Sequence, residues 1–289
     1  MKVGYYMIKN RKKILISFLL LIITFGFLII FENKNLELNT YSITSENLPD
    51  DFSGFRIVHI SDLHNAEFGD GNSKLIGTIK EADPDIIAIT GDIIDSRRTD
   101  IDIALAFLEE VLKIAPCYYV SGNHESRIEE YDILKKKMIN AGVMVLENQI
   151  SVISRSNSAI KIIGISDPSF NSDYLFGDEE FVMKSQLEET VQCEEAFTIM
   201  LSHRPEFFEL YIDYTADLVL SGHAHGGQFI LPLFGGLFAP GQGFFPKYDA
   251  GHFEKNGTNM VVSRGIGNSI IPLRVNNRPE VILVELNSA

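Results

Sequence analysis

Residues 216–227 read Ala-Asp-Leu-Val-Leu-Ser-Gly-His-Ala-His-Gly-Gly. The apolar run Ala216–Leu220 (ADLVL) predicts a buried strand. The turn that follows places two histidines, His223 and His225, at i and i+2 between glycines. Two imidazoles on so short a turn can be aimed into one small space. That suits adjacent metal ions better than it suits packing, provided partners exist elsewhere in the chain.

Four other apolar strands end in the same way. Phe55–Ser61 (FRIVHIS) runs into Asp62-Leu63-His64-Asn65, and Asp85–Thr90 (DIIAIT) into Gly91-Asp92. Cys117–Val120 (CYYV) leads to Gly122-Asn123-His124-Glu125, and Phe197–Leu201 (FTIML) to Ser202-His203-Arg204-Pro205. In open α/β sheets the loops beyond the carboxyl ends of strands converge on a common crevice. Five of the seven histidines fall in these loops; His59, in mid-strand, reads as a core histidine, and His252 lies outside them. Asp, His and Asn donors without cysteine suit hard or borderline divalent ions such as Mn²⁺, Fe²⁺, Zn²⁺ or Mg²⁺. Two such ions can clamp a phosphate and lower the pKa of a bound water.

Around these strands the pattern predicts one α/β domain of two packed sheets with helices outside. Leu36–Ile43, Val143–Leu146, Ile150–Ser154, Ile160–Ile165, Asn259–Ser263 and Glu280–Leu286 read as further strands. Helices are expected over Ser73–Ala82, after a Thr99-x-x-Asp102 capping box, over Ile128–Ala141 closed by Gly142, and over Asp178–Val191. Lys135-Lys136-Lys137 reads as a solvated helix face. Cys117 and Cys193, with no CxxC pair, read as buried free thiols. The segment Phe229–Phe245 (FILPLFGGLFAPGQGFF) is apolar for a connection. It reads either as a loop folded back to seal the core or as a lip that meets a membrane or an acyl chain.

The N-terminus is different in kind. Ile14–Phe31 is an 18-residue uncharged run, long enough to span a bilayer. Five basic residues precede it, and its end, Ile29-Ile30-Phe31-Glu32, offers no small-x-small cleavage site. The expectation is an uncleaved signal anchor: a cytoplasmic basic tail (1–13), a transmembrane segment (14–31), and a domain (32–289) outside the cytoplasm of the cell membrane. The chain has 289 residues, 45% hydrophobic and 22% charged, with a net charge of −14. Beyond residue 13 there are 20 basic and 39 acidic side chains, net −19. Such a body repels nucleic acid, so no nucleic-acid partner is expected and a nuclease is disfavoured.

Taken in order, Asp62-x-His64, Gly91-Asp92, Gly122-Asn123-His124-Glu125, His203 and Gly222-His223-x-His225 resemble the calcineurin-like metallophosphoesterases over roughly Phe55–Gln228. Gly226-Gly227-Gln228 and Ser263-Arg264-Gly265 look like a membrane-associated bacterial subgroup. The resemblance implies a four-layer α/β/β/α sandwich of two mixed sheets behind one transmembrane helix. It implies one ion held by Asp62, His64, Asp92 and His225, and a second by Asp92, Asn123, His203 and His223. His124 would contact the phosphate and help protonate the leaving oxygen. Arg264 and Arg274, and also Arg204, are candidates for substrate phosphate, beside the plainer reading of each as a salt-bridging residue. The implied activity is hydrolysis of a phosphomonoester, phosphodiester or pyrophosphate, lipid- or envelope-linked by virtue of the anchor, through attack of metal-bound water. The rival is a non-catalytic scaffold of the same fold, which would be expected to have lost several of these residues.

Overall fold

The computed structural model describes residues 2–171, 179–191, 196–214, 216–268 and 273–289. Helix α1 (Lys2–Lys34) contains the apolar run, and from Lys12 to Lys34 it is long and apolar enough to cross a membrane. Two residues later β1 (Glu37–Ser45) opens the first sheet. Cys193 and the expected helix start at Asp178 lie outside the described residues.

That sheet continues with β2 (Phe55–Ile60), β3 (Ile86–Thr90), β4 (Cys117–Val120) and β5 (Met144–Val145). The second contains β6 (Gln149–Arg155), β7 (Ser158–Gly164), β8 (Thr198–Leu201) and β9 (Leu218–Ser221). Two short hairpins follow, β10 (Ile230–Leu231) with β11 (Gly235–Gly236) and β12 (Phe238–Ala239) with β13 (Gly243–Phe244). β14 (Gly251–Lys255) and β15 (Thr258–Val262) complete the second sheet, and β16 (Glu280–Ser288) returns to the first. The strand orders are β1-β16-β2-β3-β4-β5 and β14-β15-β9-β8-β7-β6, six strands in each. Both sheets are mixed: β16 runs antiparallel to β2, β14 to β15 and β6 to β7, and the other pairings are parallel.

The strands are apolar at successive positions because both faces of each sheet are covered. In β2, Val58 and Ile60 pack outward on α2 (Ser73–Glu81), α3 (Ile101–Val111) and α4 (Tyr131–Ala141), meeting Leu75, Phe107 and Leu134. Its neighbour Ile57 points the other way, into a core shared with Ile162, Ile199 and Leu220 of the second sheet. In β9, Leu218 and Leu220 join that central core, while Val219 packs with Met183 and Leu187 of α5 (Glu179–Thr190) and Phe208 and Tyr211 of α6 (Phe208–Asp213). Three apolar cores separate four layers, which is the expected α/β/β/α sandwich.

Local expectations differ from the structure in three places. The cap of α3 is Asp100 rather than Thr99: its carboxylate accepts from the N–H groups of Asp102 (3.1 Å) and Ile103 (3.3 Å), as an N-cap should. The Thr99 hydroxyl turns back to the Asp95 carbonyl instead. Lys136 and Lys137 are exposed, as a solvated face requires, while Lys135 is drawn part-way in by an ion pair with Glu147. β14, paired along its length with β15, and the short hairpin strands β10–β13 are additional strands.

His59 is fully buried on β2, with Nε2 2.8 Å from the Thr90 hydroxyl. Burial pushes its pKa down to about 3 from 6.5. The folded protein therefore binds fewer protons there than the unfolded chain, so the contribution is present above pH 6.5 and is lost as pH falls toward 3. A His59→Gln variant is expected to lose less stability than the wild type between those limits, compared by urea unfolding at a series of pH values.

Candidate metal centre

Five strand carboxyl ends deliver the polar cluster: β2, β3 and β4 from one sheet, β8 and β9 from the other. The turns beyond them are unusually tight. Asp62, His64, Asp92, His223 and His225 all have positive φ, between 47° and 64°, a region that non-glycine residues seldom occupy. Glycines make the close approaches. A Cβ on Gly122 would sit 2.3 Å from Asp92 Oδ1, and one on Gly222 would sit 1.8 Å from Ser61 Oγ.

Glu125 locks two of these turns together. Its Oε2 accepts from the N–H groups of Asp92 (2.8 Å) and Gly122 (2.7 Å), and its Oε1 from those of Ile93 (2.8 Å) and Ile94 (3.3 Å). Burial pushes this carboxyl up to about 7, with Asp92 adding to the rise and the N–H groups opposing it.

Asp62, His64, Asp92, Asn123, His124, His203, His223 and His225 are all buried and all meet in this region. Three sets of donor atoms lie close enough to hold an ion: Asp62, His64 and His225; His64, Asp92 and His124; and Asp92, His203 and His223. Asp92 sits between the sheets, its Oδ2 3.3 Å from His203 Nε2 and 3.6 Å from His64 Nε2. Its Oδ1 accepts from the His124 N–H at 2.8 Å.

The donor set fits metal ions on grounds visible in the structure. Asp62 Oδ1 and Asn123 Oδ1 are buried acceptors without a hydrogen-bond donor. Asp62 Oδ1 does lie 3.2 Å from His225 Nε2, but off the direction a hydrogen bond requires. His64 Nε2 and His225 Nε2 face each other at 3.2 Å, and His203 Nε2 and His223 Nδ1 at 3.1 Å. One proton between the members of each pair makes an N–H···N hydrogen bond, and a cation in its place would take a lone pair from each ring. The two unpaired oxygens, by contrast, are costly to bury unless a cation meets them.

The electrostatics agree. Burial keeps His64 neutral, down to about 4, and holds His223 and His225 well below the usual imidazole range, which leaves their nitrogens free to ligate. Burial also pushes Asp62 up to about 6. At Asp92 the neighbouring imidazoles, His203 above all, outweigh burial and keep the carboxyl ionised. Burial would lower His203, but Asp92, then Asp62 and Asp167, raise it to about 10. The same field would attract a divalent cation.

A cleft of about 340 Å³ opens over the cluster. Asp92, Asn123, His124, His223 and His225 line its floor, with Arg97, Arg127 and Arg204 among its walls. His124 Nδ1 receives the Ser96 N–H at 3.0 Å and lies 3.6 Å from Asp95 Oδ1. Arg204 is buried and held by Asp167, at 2.5 Å from Nε and 3.0 Å from Nη2. The other two sequence candidates for phosphate contact are not in the cleft lining. Arg264 is paired with Glu280 and Glu37, and Arg274 is fully buried, donating to the carbonyls of Arg264 and Gly267 with Nη2 3.4 Å from His225 Nδ1.

Sequence reasoning passed over Asp95, Ser96 and Asp167. Asp167 follows the strand expected at Ile160–Ile165, so the strand-end criterion applied once more would have found it. Asp95 lies one turn beyond Asp92, and nothing in the sequence marks Ser96, whose contribution is a main-chain N–H.

Comparison with known proteins agrees with this architecture. Residues 55–227 match the family model for calcineurin-like phosphoesterases. The chain is 32% identical over 273 residues to the uncharacterised metallophosphoesterase YkuE of Bacillus subtilis, covering 91% of this chain and 90% of that protein. It is 30% identical to the phosphodiesterase YaeI of Escherichia coli, covering 82% and 84% respectively. Among solved structures, TT1561 of Thermus thermophilus superposes with a TM-score of 0.51 over 74% of this chain and 90% of that one; at 14% identity this is a likeness of fold.

Replacing Glu125 with Gln puts an amide NH₂ against two backbone N–H groups whichever way the side chain turns. The expected cost is about 2–4 kcal/mol of folding stability, read from chemical denaturation.

Proposed function

The chain belongs to the calcineurin-like phosphoesterase family, and from that premise we propose that it is a membrane-anchored hydrolase of phosphate esters that works with two divalent ions. One observation carries this reading: carboxylate, imidazole and amide donors from five strand ends of two sheets meet under a single cleft, with buried acceptors left unpaired. Asp62, His64, Asp92 and His225 would hold one ion. Asp92, Asn123, His203 and His223 would hold the other, with Asp92 shared. When bound, such ions supply Lewis acidity to a phosphate and lower the pKa of water. Whether Mn, Fe, Zn or Mg is used, the donors are of the hard or borderline kind.

The protein's own groups supply the rest. A backbone N–H can only donate, so the Ser96 N–H requires an unprotonated Nδ1 on His124. The neutral ring then carries its proton on Nε2, which can hydrogen-bond to a substrate oxygen in the cleft. To protonate a departing ester oxygen the ring must first become imidazolium, its Nδ1–H turning from the Ser96 N–H to the Ser96 hydroxyl or the Asp95 carboxylate. Asp95, beside the same ring, favours the imidazolium when it forms. Arg97, Arg127 and Arg204 give local positive charge to receive a phosphate in an otherwise acidic protein. Asp167 keeps the Arg204 guanidinium in place.

Residues 14–31 would span the bilayer, with 1–13 cytoplasmic and 32–289 outside. The helix is apolar on every described face, and basic residues precede it. A site so confined would meet phosphate esters of lipids or of the envelope. The net −19 body supports such substrates over nucleic acid.

Turnover of bis-p-nitrophenyl phosphate or p-nitrophenyl phosphate by the full chain should disappear with a chelator and return with Mn²⁺. His124→Asn should lower kcat by roughly 10²- to 10⁴-fold while retaining metal. His223→Ala or His225→Ala should lose metal on elemental analysis. A folded, metal-loaded protein inactive on both esters with every metal tried would favour the scaffold reading.

A further inference from the structure

We propose that the two hairpins between residues 230 and 245 form a second, shallow contact with the bilayer, placing the mouth of the cleft against the lipid surface. The proposal rests on the reading of α1 as a bilayer-spanning helix, and deepens it. Ala239 enters the core, but most of the segment's large apolar side chains do not. Leu231, Leu233, Phe234, Phe238, Phe244 and Phe245 are exposed, Leu233 completely and Phe234 and Phe244 by more than 70%. Outside α1, the other exposed large apolar side chains of the described residues are spread over β1, α4, β6 and α5. A concentrated apolar patch on a domain surface marks an interaction site.

The patch is built rather than loose. Ala239 is fully buried, and Gly236 N–H donates to Asp249 Oδ2 at 2.7 Å. Leu237 N–H donates to the Phe229 carbonyl (2.9 Å) and Phe245 N–H to the Leu237 carbonyl (2.9 Å). The Phe238 and Phe244 rings meet edge to face with centroids 5.3 Å apart. Leu233 and Phe245 have φ of 74° and 54°. Glycine or asparagine would occupy those positions at less conformational cost, so bulky apolar side chains are being held outward there against backbone preference.

The occupant is indicated by what the hairpins are attached to. Asn33, in the last turn of α1, exchanges hydrogen bonds with the backbone of Arg274, at 3.0 Å each way. Glu32 accepts from the Asn276 N–H at 2.6 Å. Val275 in turn pairs with Phe229, and its carbonyl receives the Ile230 N–H at 3.1 Å, at the root of the first hairpin. The emerging end of an apolar helix and the apolar hairpins are thus joined through one short segment. Phenylalanine and leucine on a shallow rim suit the boundary between headgroups and acyl chains. Pro240 and Gly241, between β12 and β13, line the cleft, so the surface that would touch lipid also borders the site.

The sequence contains no tryptophan, so a single one reports its own surroundings. The full chain carrying Phe234→Trp is reconstituted into vesicles of phosphatidylcholine and phosphatidylglycerol with brominated acyl chains. Phe25→Trp in α1 and Ile139→Trp on α4 serve as references. Loss of most of the Trp emission for F234W and F25W, with I139W unaffected, is the expected result. Quenching of F25W alone would overturn the hairpin contact and leave the anchor intact, whereas no quenching of F25W would sink the anchor itself. Were F234W protected from aqueous iodide yet untouched by bromolipid, a protein or a second copy would own the surface and the proposal would fall.

Discussion

The Asp92 carboxylate is the interaction on which the remainder of the centre depends. It stands between the two sheets, facing His64 from the first and His203 from the second, and takes the His124 N–H on its other oxygen. An ionised carboxylate this deeply buried is tolerable only with positive charge or strong donors around it. Every neighbouring turn is shaped to bring a donor to it, and the glycines remove the Cβ atoms that would stand in the way. Together with Asp62 and Asp167, Asp92 raises the proton affinity of His203, and the same negative field would draw in a cation.

A site of this kind conflicts with the preferences of its own backbone. Five of the expected ligands sit in left-handed turns, and several buried polar atoms lack partners. Those terms are unfavourable, and the three apolar cores together with Glu125 must outweigh them. Glu125 is suited to this because one carboxylate satisfies four main-chain donors from two adjacent turns. It fixes the geometry without touching the space where chemistry would occur.

Much of the architecture could be read in advance because its physical causes are local. Runs such as residues 86–89 and 218–220 are apolar at every position, which signals strands covered on both faces, and the polar residues just beyond them stand out by contrast. The hairpins were less legible, since an apolar stretch rich in glycine and proline gives no sign of which way its side chains point. Arg264 and Arg204 illustrate the same difficulty. Both are arginines next to a strand end, yet Arg264 is drawn away by Glu280 and Glu37 while Asp167 holds Arg204 at the cleft. Partners distant in sequence decide such cases. Ser96 was invisible for a different reason, because its main chain rather than its side chain does the work.

Only Asn35 and Leu36 separate α1 from β1, and the last turn of the helix is hydrogen-bonded to the domain. A tether of this kind has almost no slack. With α1 seated in a bilayer, the catalytic body could neither swivel nor extend; its height and tilt would be those of the helix itself. Encounters would then be counted per unit of surface rather than per unit of volume, and a phosphate presented a few nanometres too high would be out of range however abundant it was.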